Sequence, residues 1–416
     1  MATENKKYIP TLRFPEFQND GEWKRCKLSD VAVRKGKKNT KGIELPVYTN
    51  SATSGVISQE DYFDREIVTK ENLVNYGIIE PNDFVYNPCV SVTAPVGPIS
   101  RNKLSRGIMS PLYLIFGFNG GDINFFEHYF KGNSWHNYLR AKANYGARFD
   151  RINIGTKEFM DMPIPYPSLA EQKKIADCLS SLDKYIDATK RKLELLKEHK
   201  KGLMQRLFPA KGKATPELRF PEFQNDGEWQ IVSLGEITSV VNRRNKSNRS
   251  LPIYSINNAE GFVPQSQQFA GMDSEARGYD ISAYKIIGKH TFAYNPARIN
   301  VGSIGYSGEL KDILISSLYV CFKTMDNVDD DFLMCFFNSY IFNQAVESNV
   351  EGGIRSYLFY ENFSRIKIAI PSLYEQKRIA SCITSIEDMI KQTNKQICLL
   401  ETHKNGLLQQ LFPKIK

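Results

Sequence analysis

The stretch LRFPEFQNDGEW occupies residues 12–23 and occurs again, letter for letter, at residues 218–229. The two copies stand 206 positions apart (218 − 12), close to half of the 416-residue chain. A second repeat closes each half: PSLAEQKKIADCLSSLDKYID begins at Pro167 and PSLYEQKRIASCITSIEDMI begins at Pro371. The chain is therefore one unit written twice, and we expect internal pseudo-two-fold symmetry and a partner that also has two parts.

The second repeat predicts a long helix at the end of each half. Ser168 with Glu171, and Ser372 with Glu375, fit the capping box that opens helices, and apolar residues then recur at alternating spacings of four and three. Such a heptad pattern over about 40 residues predicts a coiled-coil rod of roughly 60 Å. The predicted seam consists of Ile175, Leu179, Leu182, Ile186, Leu193, Leu196 and Leu203 in the first helix, and of Ile379, Ile383, Ile386, Ile390, Ile397, Leu400 and Leu407 in the second.

Polar residues interrupt the seam at matched positions, Thr189 with Thr393 and Lys200 with Lys404. A polar residue in a seam lowers stability but fixes the register of the two helices. The alternative for the lysines is a frayed helix end, where the ammonium group reaches water.

The linker between the halves, residues 209–217, is short and polar. The first helix must therefore end near the second globular part, and nine extended residues could barely span a rod of that length. The two helices are consequently expected to pair in antiparallel orientation.

The remaining parts of each half predict mixed α/β domains. Short β-like runs recur in both halves, such as LPVYTN with LPIYSIN and SPLYLIF with SSLYVCF, and aromatic helical segments follow. We therefore expect an α+β chain with two mixed α/β domains in tandem, separated by two long helices that form an antiparallel coiled coil. The predicted boundaries are 1–166 for the first domain, 167–209 for the first helix, 210–370 for the linker and second domain, and 371–416 for the second helix and tail.

Composition predicts that the cysteines are free thiols and that no segment crosses a membrane. The first residues, MATENKK, lack a signal-peptide core, and no apolar run approaches the ~20 residues that span a bilayer. The seven cysteines are dispersed and include no CxxC pair, which favours free thiols over disulfides or zinc. We therefore expect a cytoplasmic protein.

The charge balance admits two interpretations. Lysine and arginine number 55 against 46 aspartates and glutamates, a net charge of +9. An excess of this size fits a polyanion such as nucleic acid, but it also fits an ordinary basic surface in solvent.

Motifs of catalysis are missing from the sequence. It contains no phosphate-binding P-loop, no HExxH, no Cys/His cluster with metal spacing, and no histidine paired with a nucleophile. The Asn87-Pro88-Cys89 and Asn295-Pro296-Ala297 stretches superficially resemble the Asn-Pro-Pro-aromatic loop of amino-methyltransferases, but the second proline and the aromatic residue are absent. We interpret both as Asn-Pro turns at strand ends and expect a binding protein that is not an enzyme and binds no cofactor or metal.

Two sets of residues are candidates for contacts with nucleic acid. Flexible cations on loops suit phosphate groups, whereas the arginine fork suits guanine and amide groups suit adenine. The basic loops carry Arg34, Lys35, Lys37 and Lys38 in the first half and Arg243, Arg244 and Arg249 in the second. Arg148 and Arg355 follow matched glycine-containing stretches, and further base-edge candidates by residue type are Arg151, Arg298, Asn50 and Asn257.

The arrangement resembles the specificity subunit of type I restriction–modification enzymes. The resemblance covers nearly the whole chain and rests on two globular parts alternating with two near-identical helices, on the LRFPEF…GEW opening and on the PSLxEQKxIA start of each helix. It implies that each globular part is a target recognition domain for one half of a split sequence in double-stranded DNA, and that the helices fix the gap.

The resemblance also implies partners. Two methyltransferase subunits, which bind S-adenosylmethionine, would dock on the helices and modify adenine, and translocase–nuclease subunits would join for restriction, while this chain catalyses nothing. The alternative interpretation of the residues is a non-catalytic coiled-coil scaffold with non-specific affinity for nucleic acid.

Overall fold

A computed structural model describes residues 8–62, 70–145, 150–258, 260–268, 271–349 and 357–413. The described residues of the first half form strands β1 (Lys24–Lys27), β2 (Ala32–Arg34), β3 (Val47–Ser51), β4 (Gly55–Ser58), β5 (Gly77–Ile79), β6 (Phe84–Tyr86), β7 (Ile99–Arg101), β8 (Gly107–Met109), β9 (Leu114–Phe118), β10 (Asn144–Tyr145), β11 (Ile152–Asn153) and β12 (Pro163–Tyr166). Its helices are α1 (Leu28–Val31), α2 (Gln59–Tyr62), α3 (Ile123–Lys131), α4 (His136–Lys142), α5 (Thr156–Met160) and α6 (Leu169–Leu207).

The described residues of the second half repeat this order of elements, except that β10 and β11 have no counterpart there. Its strands are β13 (Gln230–Ser233), β14 (Thr238–Val240), β15 (Ile253–Asn257), β16 (Gly261–Pro264), β17 (Lys285–Ile287), β18 (Phe292–Tyr294), β19 (Ile304–Tyr306), β20 (Ile313–Ile315), β21 (Val320–Thr324) and β22 (Lys367–Ile370). Its helices are α7 (Leu234–Ile237), α8 (Gln265–Gln268), α9 (Asp330–Phe337), α10 (Tyr340–Asn349), α11 (Tyr360–Arg365) and α12 (Leu373–Leu411). Short 3-10 helices lie at Pro15–Phe17, Lys70–Asn75, Pro221–Phe223 and Ile299–Val301.

The sheets of the two halves have the same topology. The first domain contains sheets of order β2-β9-β6-β7 and β4-β3-β8-β5, and the second contains β14-β21-β18-β19 and β16-β15-β20-β17. In both, one strand pair is parallel, β3 with β8 and β15 with β20. The expected pair of mixed α/β domains in tandem is confirmed.

The central strand of each domain is buried on both faces. In β6, Phe84 packs against Phe130 of α3 and Tyr86 stacks on Phe159 of α5, while Val85 belongs to the cluster of the other sheet. Phe292 and Ala293 of β18 divide in the same way. Each domain is therefore layered as helix, sheet and sheet, which leaves the strand ends and their turns to face solvent.

The arginine of the repeated LRFPEF motif forms a buried ion pair in both halves. The guanidinium of Arg13 donates to both carboxylate oxygens of Glu171 at 2.7 and 2.8 Å, and also to the Gly21 carbonyl. Arg219 binds Glu375 in the same way at 2.8 Å to each oxygen. Because the glutamate side chains are 1% exposed, an opening motif without its arginine would leave a buried charge unpaired.

The chain divides into two compact units that cut across both long helices. One consists of Met1–Lys190 with Lys395–Lys416, and the other of Arg191–Asn394. Each long helix therefore contributes its first half to one unit and its second half to the other. The predicted segment boundaries at 166, 209 and 370 follow chain order and stay a prediction.

Within each unit the two helix segments run antiparallel, as expected. In the first unit, Asp183 pairs with Lys404, and Lys190 pairs with Glu401 at 2.6 Å. The later residue on α6 thus pairs with the earlier residue on α12, as in an antiparallel pair. The end of α12 inserts Leu408, Leu411 and Phe412 into the core of the first domain. In the second unit, Met204, Leu207 and Phe208 at the end of α6 enter the core of the second domain.

The predicted seam residues are all buried or half-buried. After the seam lysines, Met204 and Leu408 are buried, whereas the predicted Leu203 and Leu407, one residue earlier, are half-buried, because the helix ends pack into the domain cores. Each seam threonine donates its hydroxyl to the carbonyl four residues earlier at 2.7 Å, so it leaves no unpaired group.

Ion pairs of the seam lysines favour a role in setting the register. Lys200 pairs with Glu387 at 2.6 Å in the second unit, and Lys404 pairs with Asp183 in the first. These are equivalent pairs in the two halves, so neither lysine lies at a frayed end.

Among the described residues, no helix is long and apolar enough to cross a membrane.

Removing the guanidinium of Arg219 should destabilise the protein strongly. Arg219→Met leaves Glu375 buried without its partner, and we expect a loss of about 3–5 kcal/mol in the free energy of unfolding. Urea unfolding checks this value, and Arg365→Met, which breaks an exposed pair, is the control with a loss of at most about 1 kcal/mol. Equal losses for the two variants would show that the buried pair has no special role.

Candidate nucleic-acid interface

The basic loop of each domain follows the second strand, β2 or β14, and is held by a buried asparagine. The side-chain amide of Asn39 donates to the Ile43 carbonyl at 2.8 Å and accepts from the Ile43 N–H at 3.0 Å. Asn245 makes the same two bonds with Arg249, both at 2.9 Å. Both asparagines are at most 1% exposed. The loop is therefore a fixed turn and presents its cations from a defined backbone.

Main-chain bonds attach both loops to the neighbouring strand. The Ile78 N–H donates to the Lys37 carbonyl at 2.8 Å, and the Ile286 N–H donates to the Arg243 carbonyl at 2.7 Å. Sequence reasoning missed the anchoring asparagines. The available signal was the match of Lys38-Asn39 with Arg244-Asn245 at the same offset as the opening motif.

Most cations predicted in these loops are exposed and form no ion pair with the described residues. They are Arg34, Lys37, Lys38, Arg243, Arg244 and Arg249. Lys35 differs, because its ammonium group binds Asp83 at 2.7 Å, and that carboxylate is 2% exposed. Lys35 thus has a structural partner, while the other six keep their charge available to a polyanion.

A second group of loops meets at one edge of each domain, which we call the turn edge. Tyr86 at the end of β6 pairs with Leu114 at the start of β9, and Tyr294 of β18 pairs with Val320 of β21. The turns that follow β6 and β18 therefore lie beside the loops that precede β9 and β21, residues 110–113 and 316–319.

The Asn-Pro stretches open these turns, as the sequence indicated. The Asn87 side-chain oxygen accepts from the Cys89 N–H at 2.9 Å, and that of Asn295 accepts from the Ala297 N–H at 3.0 Å. Both are Asx turns, which use the asparagine side chain to redirect the backbone. The interpretation as structural turns is confirmed.

The segment around Arg151 joins the same edge. The Ile152 N–H donates to the Pro88 carbonyl at 2.9 Å, and the Leu358 N–H donates to the Pro296 carbonyl at 3.1 Å in the second domain. Arg151 is exposed and lies opposite Cys89 in an isolated antiparallel bridge. Arg148 and Arg355 lie outside the described residues, so their contacts with guanine stay predictions.

Arg298 also lies at the turn edge. It is exposed, and its charge acts on the nearby Tyr319 hydroxyl: burial raises the pKa of Tyr319, and the guanidinium partly offsets that rise. Asn257 ends β15, is half-buried, and accepts the Glu260 N–H at 3.4 Å. Both side chains remain candidates for base contacts.

Asn50 was wrongly assigned to base contact. It is 2% exposed, and its amide donates to the Val85 and Pro98 carbonyls at 3.0 and 3.1 Å. Its main-chain carbonyl in turn accepts from the Asn87 amide at 3.0 Å. Asn50 therefore supports the turn edge from inside, where DNA cannot reach it.

In the part of the chain that the structure describes, the basic loops and the turn edges carry no cluster of metal ligands. Among the residues that the structure describes, no group of histidine, cysteine and carboxylate side chains has the arrangement of a metal site. The interface therefore consists of exposed cations, amides and loop tips on two similar frames.

Comparison with known proteins identifies the family. The family model for the type I restriction modification DNA specificity domain matches residues 20–198 and again residues 226–401, one match for each half with most of its long helix. This chain belongs to that family. The members are the specificity subunits of type I restriction enzymes, and membership makes this chain a non-catalytic DNA-recognition subunit.

Two curated relatives come from Methanocaldococcus jannaschii. The MjaVIII specificity subunit is 24% identical over 445 residues, covering 98% of this chain and 95% of the relative. The MjaX protein, described as a putative type I restriction enzyme specificity subunit, is 26% identical over 299 residues, covering 68% of this chain and 65% of the relative.

A solved structure shares the fold. The S subunit of a type I restriction–modification system from M. genitalium matches with a TM-score of 0.57 and 14% identity, covering 98% of this chain and all of that one. At this identity the likeness shows the fold alone, and the residues that contact DNA must be argued from this chain.

Neutralising the basic loops should weaken DNA binding without changing its sequence preference. For Lys37→Gln with Lys38→Gln, we expect lower affinity for all duplexes, and a salt slope that falls by about 0.9 for each phosphate group that is no longer neutralised. Fluorescence anisotropy at several salt concentrations measures both. Lys173→Gln with Lys377→Gln, exposed on the long helices, is the control; an equal reduction there would argue against the loops.

Proposed function

We propose that this chain recognises a bipartite target in double-stranded DNA and directs partner adenine methyltransferase and restriction subunits to it. Each domain reads one half-site, and the paired helices fix the gap between the half-sites. One observation carries the proposal. The two domains have four-stranded sheets of the same strand order, and their equivalent loops differ in sequence.

The residues of the two loop regions support different roles within each domain, phosphate contacts for the basic loops and base contacts for the turn edge. The exposed cations of the basic loops suit phosphate groups, which position a protein on the duplex without reading sequence. The turn edge carries Arg151 in the first domain and Arg298 in the second, and guanidinium groups suit the O6 and N7 atoms of guanine. Arg148 and Arg355 belong to the same proposal.

The two long helices support the role of spacer. Each begins in one compact unit and ends in the core of a domain in the other, so the helices are continuous with both readers. Half-sites read from one face of DNA lie about one helical turn apart, ~34–36 Å. A helix of 39 residues spans roughly 60 Å, enough to hold two readers at that separation.

Exposed leucines at matched positions support docking of the methyltransferase on the helices. Leu195 is 65% exposed and Leu399 is 61% exposed, whereas the other leucines of these helices are buried or half-buried, apart from Leu169 and Leu373 at the first residue of each. Two equivalent sites on a repeated chain fit two methyltransferase subunits, which would supply S-adenosylmethionine. Translocase–nuclease subunits would join this assembly for restriction, in the cytoplasm where the DNA lies.

Mapping N6-methyladenine in the host genome tests the proposal. Deleting this gene should remove methylation from one split motif, made of two short halves with a fixed gap and a methyl group on each strand. Restoring the gene should restore the motif. An unchanged methylome in a host that expresses the methyltransferase would contradict the proposal and favour a scaffold whose charge is incidental.

Polar substitution of the exposed leucines should separate the partners. We expect Leu195→Glu with Leu399→Glu to abolish co-purification of the methyltransferase while leaving the circular dichroism spectrum unchanged, because both side chains are in solvent. Ser181→Glu with Ser385→Glu, exposed and matched on the same helices, should keep the partner bound. Full co-purification of the leucine variant would remove the docking site.

A further inference from the structure

The turns that follow β6 and β18 are attached to their sheets in the same way in both domains, but their central residues differ. In the first domain the Asn87 N–H donates to the Pro98 carbonyl at 3.0 Å, and in the second the Asn295 N–H donates to the Ser303 carbonyl at 3.0 Å. The Asx bonds of the two asparagines are also equivalent. Each turn therefore leaves and rejoins its sheet at the same place.

Between these fixed ends the two turns differ in length and chemistry. The first comprises residues 88–97 and the second residues 296–302, ten residues against seven. The first turn presents serine, valine and threonine, whereas the second presents Arg298 from the start of a 3-10 helix. Two domains that recognise different sequences require turns with different residues, because the backbone positions that the two turns share cannot distinguish one sequence from another.

The tip of the first turn is closed by hydrogen bonds. The Ser91 N–H donates to the Ala94 carbonyl at 3.0 Å, and the Ala94 N–H donates back to the Ser91 carbonyl at 3.2 Å and to the Ser91 hydroxyl at 3.1 Å. The Val90 N–H donates to the Asp150 carbonyl at 2.9 Å and fixes the base of the tip. The turn is thus held before any ligand arrives, which lowers the entropic cost of binding.

Val92 stands at the apex of this tip and is fully exposed, with a relative accessibility of 101%. A single exposed aliphatic residue is common on protein surfaces. Val92 differs in its setting, because its β-branched side chain has few rotamers and a closed turn holds it out from the edge that carries Arg151. In the major groove, the apolar group that a base edge offers is the 5-methyl group of thymine.

We propose that the Ser91–Ala94 tip determines part of the target sequence of the first domain, and that Val92 contacts the 5-methyl group of a thymine in its half-site. This inference rests on the proposed function and adds the chemistry of one base position. The second domain uses the equivalent turn with a different group, so its half-site does not share this contact.

The test uses the complete complex with its methyltransferase and duplexes that carry the mapped motif. Each thymine of the motif is replaced in turn by deoxyuridine, which lacks only the methyl group. For the unmodified protein, one replacement in one half-site should weaken binding by about fourfold, the value of one buried methyl group. Val92→Ala should weaken binding to the thymine duplex by a similar or larger factor.

The decisive comparison combines both changes. If Val92 contacts that methyl group, Val92→Ala should lose little further affinity on the deoxyuridine duplex, so the two effects are not additive. Val240→Ala, exposed in the second domain and outside its turn edge, is the control and must leave the response at this thymine unchanged. Thermal unfolding of both variants should match the parent protein, because both side chains lie in solvent.

Three results would overturn the inference while leaving the proposed function intact: additive losses, a Val92→Ala protein that binds like the parent, or a first half-site in which no thymine responds to deoxyuridine. The same titrations include a duplex with a scrambled motif, and a parent complex that binds it as tightly as the mapped motif would instead contradict the proposed function itself. The two failures are therefore distinguishable in one set of titrations.

Discussion

The bidentate pair between an arginine of the opening motif and a glutamate at the start of the long helix is the contact on which each half depends. Arg13 with Glu171, and Arg219 with Glu375, join segments that are more than 150 residues apart in sequence, and the carboxylates are almost completely buried. The next residue extends the junction: the Gln172 amide donates to Pro167, and its oxygen accepts from Asp122 at the start of α3. Domain and helix are thereby fixed to one another at the point where the helix begins.

The far end of each helix is fixed by hydrophobic packing rather than charge. Phe412 closes α12 against Phe125 and Tyr129 of the first domain, and Phe208 closes α6 against Phe332 of the second. Each long helix is therefore fixed to a domain by an ion pair at its first turn and by aromatic packing after its last turn. The equivalent seam pairs of Lys200 and Lys404 add a third restraint on register.

The helices and the repeat could be predicted because they depend on local patterns. Heptad spacing and capping boxes placed both helices to within a few residues of Leu169–Leu207 and Leu373–Leu411. The shift from Leu203 to Met204 could not be predicted, because it depends on a core formed by residues far away in sequence. Asn50 failed for the same reason: residue type suggested a base contact, and long-range packing buried it.

The charged residues of the candidate interface could be predicted from the sequence, but the hydrogen bonds that position them could not. Charge runs identified the basic loops, but Asn39 and Asn245 look like ordinary polar loop residues until their hydrogen bonds are seen. Val92 gave no signal, since an isolated valine in a β-like run is normally buried. Its exposure follows from the three bonds between Ser91 and Ala94, which turn the chain outward at that residue.

Two separate readers held apart by the helices are the central claim, and changing the helix length tests it most directly. One helical turn is inserted between Leu196 and Leu203 and, at the stretch of the antiparallel helix that faces it, between Ile383 and Ile390, and the methylated motif is mapped again. We predict the same two half-site sequences with a longer gap, because the readers are unchanged and only their separation grows. Altered half-site letters, or the original gap with full methylation, would contradict the claim.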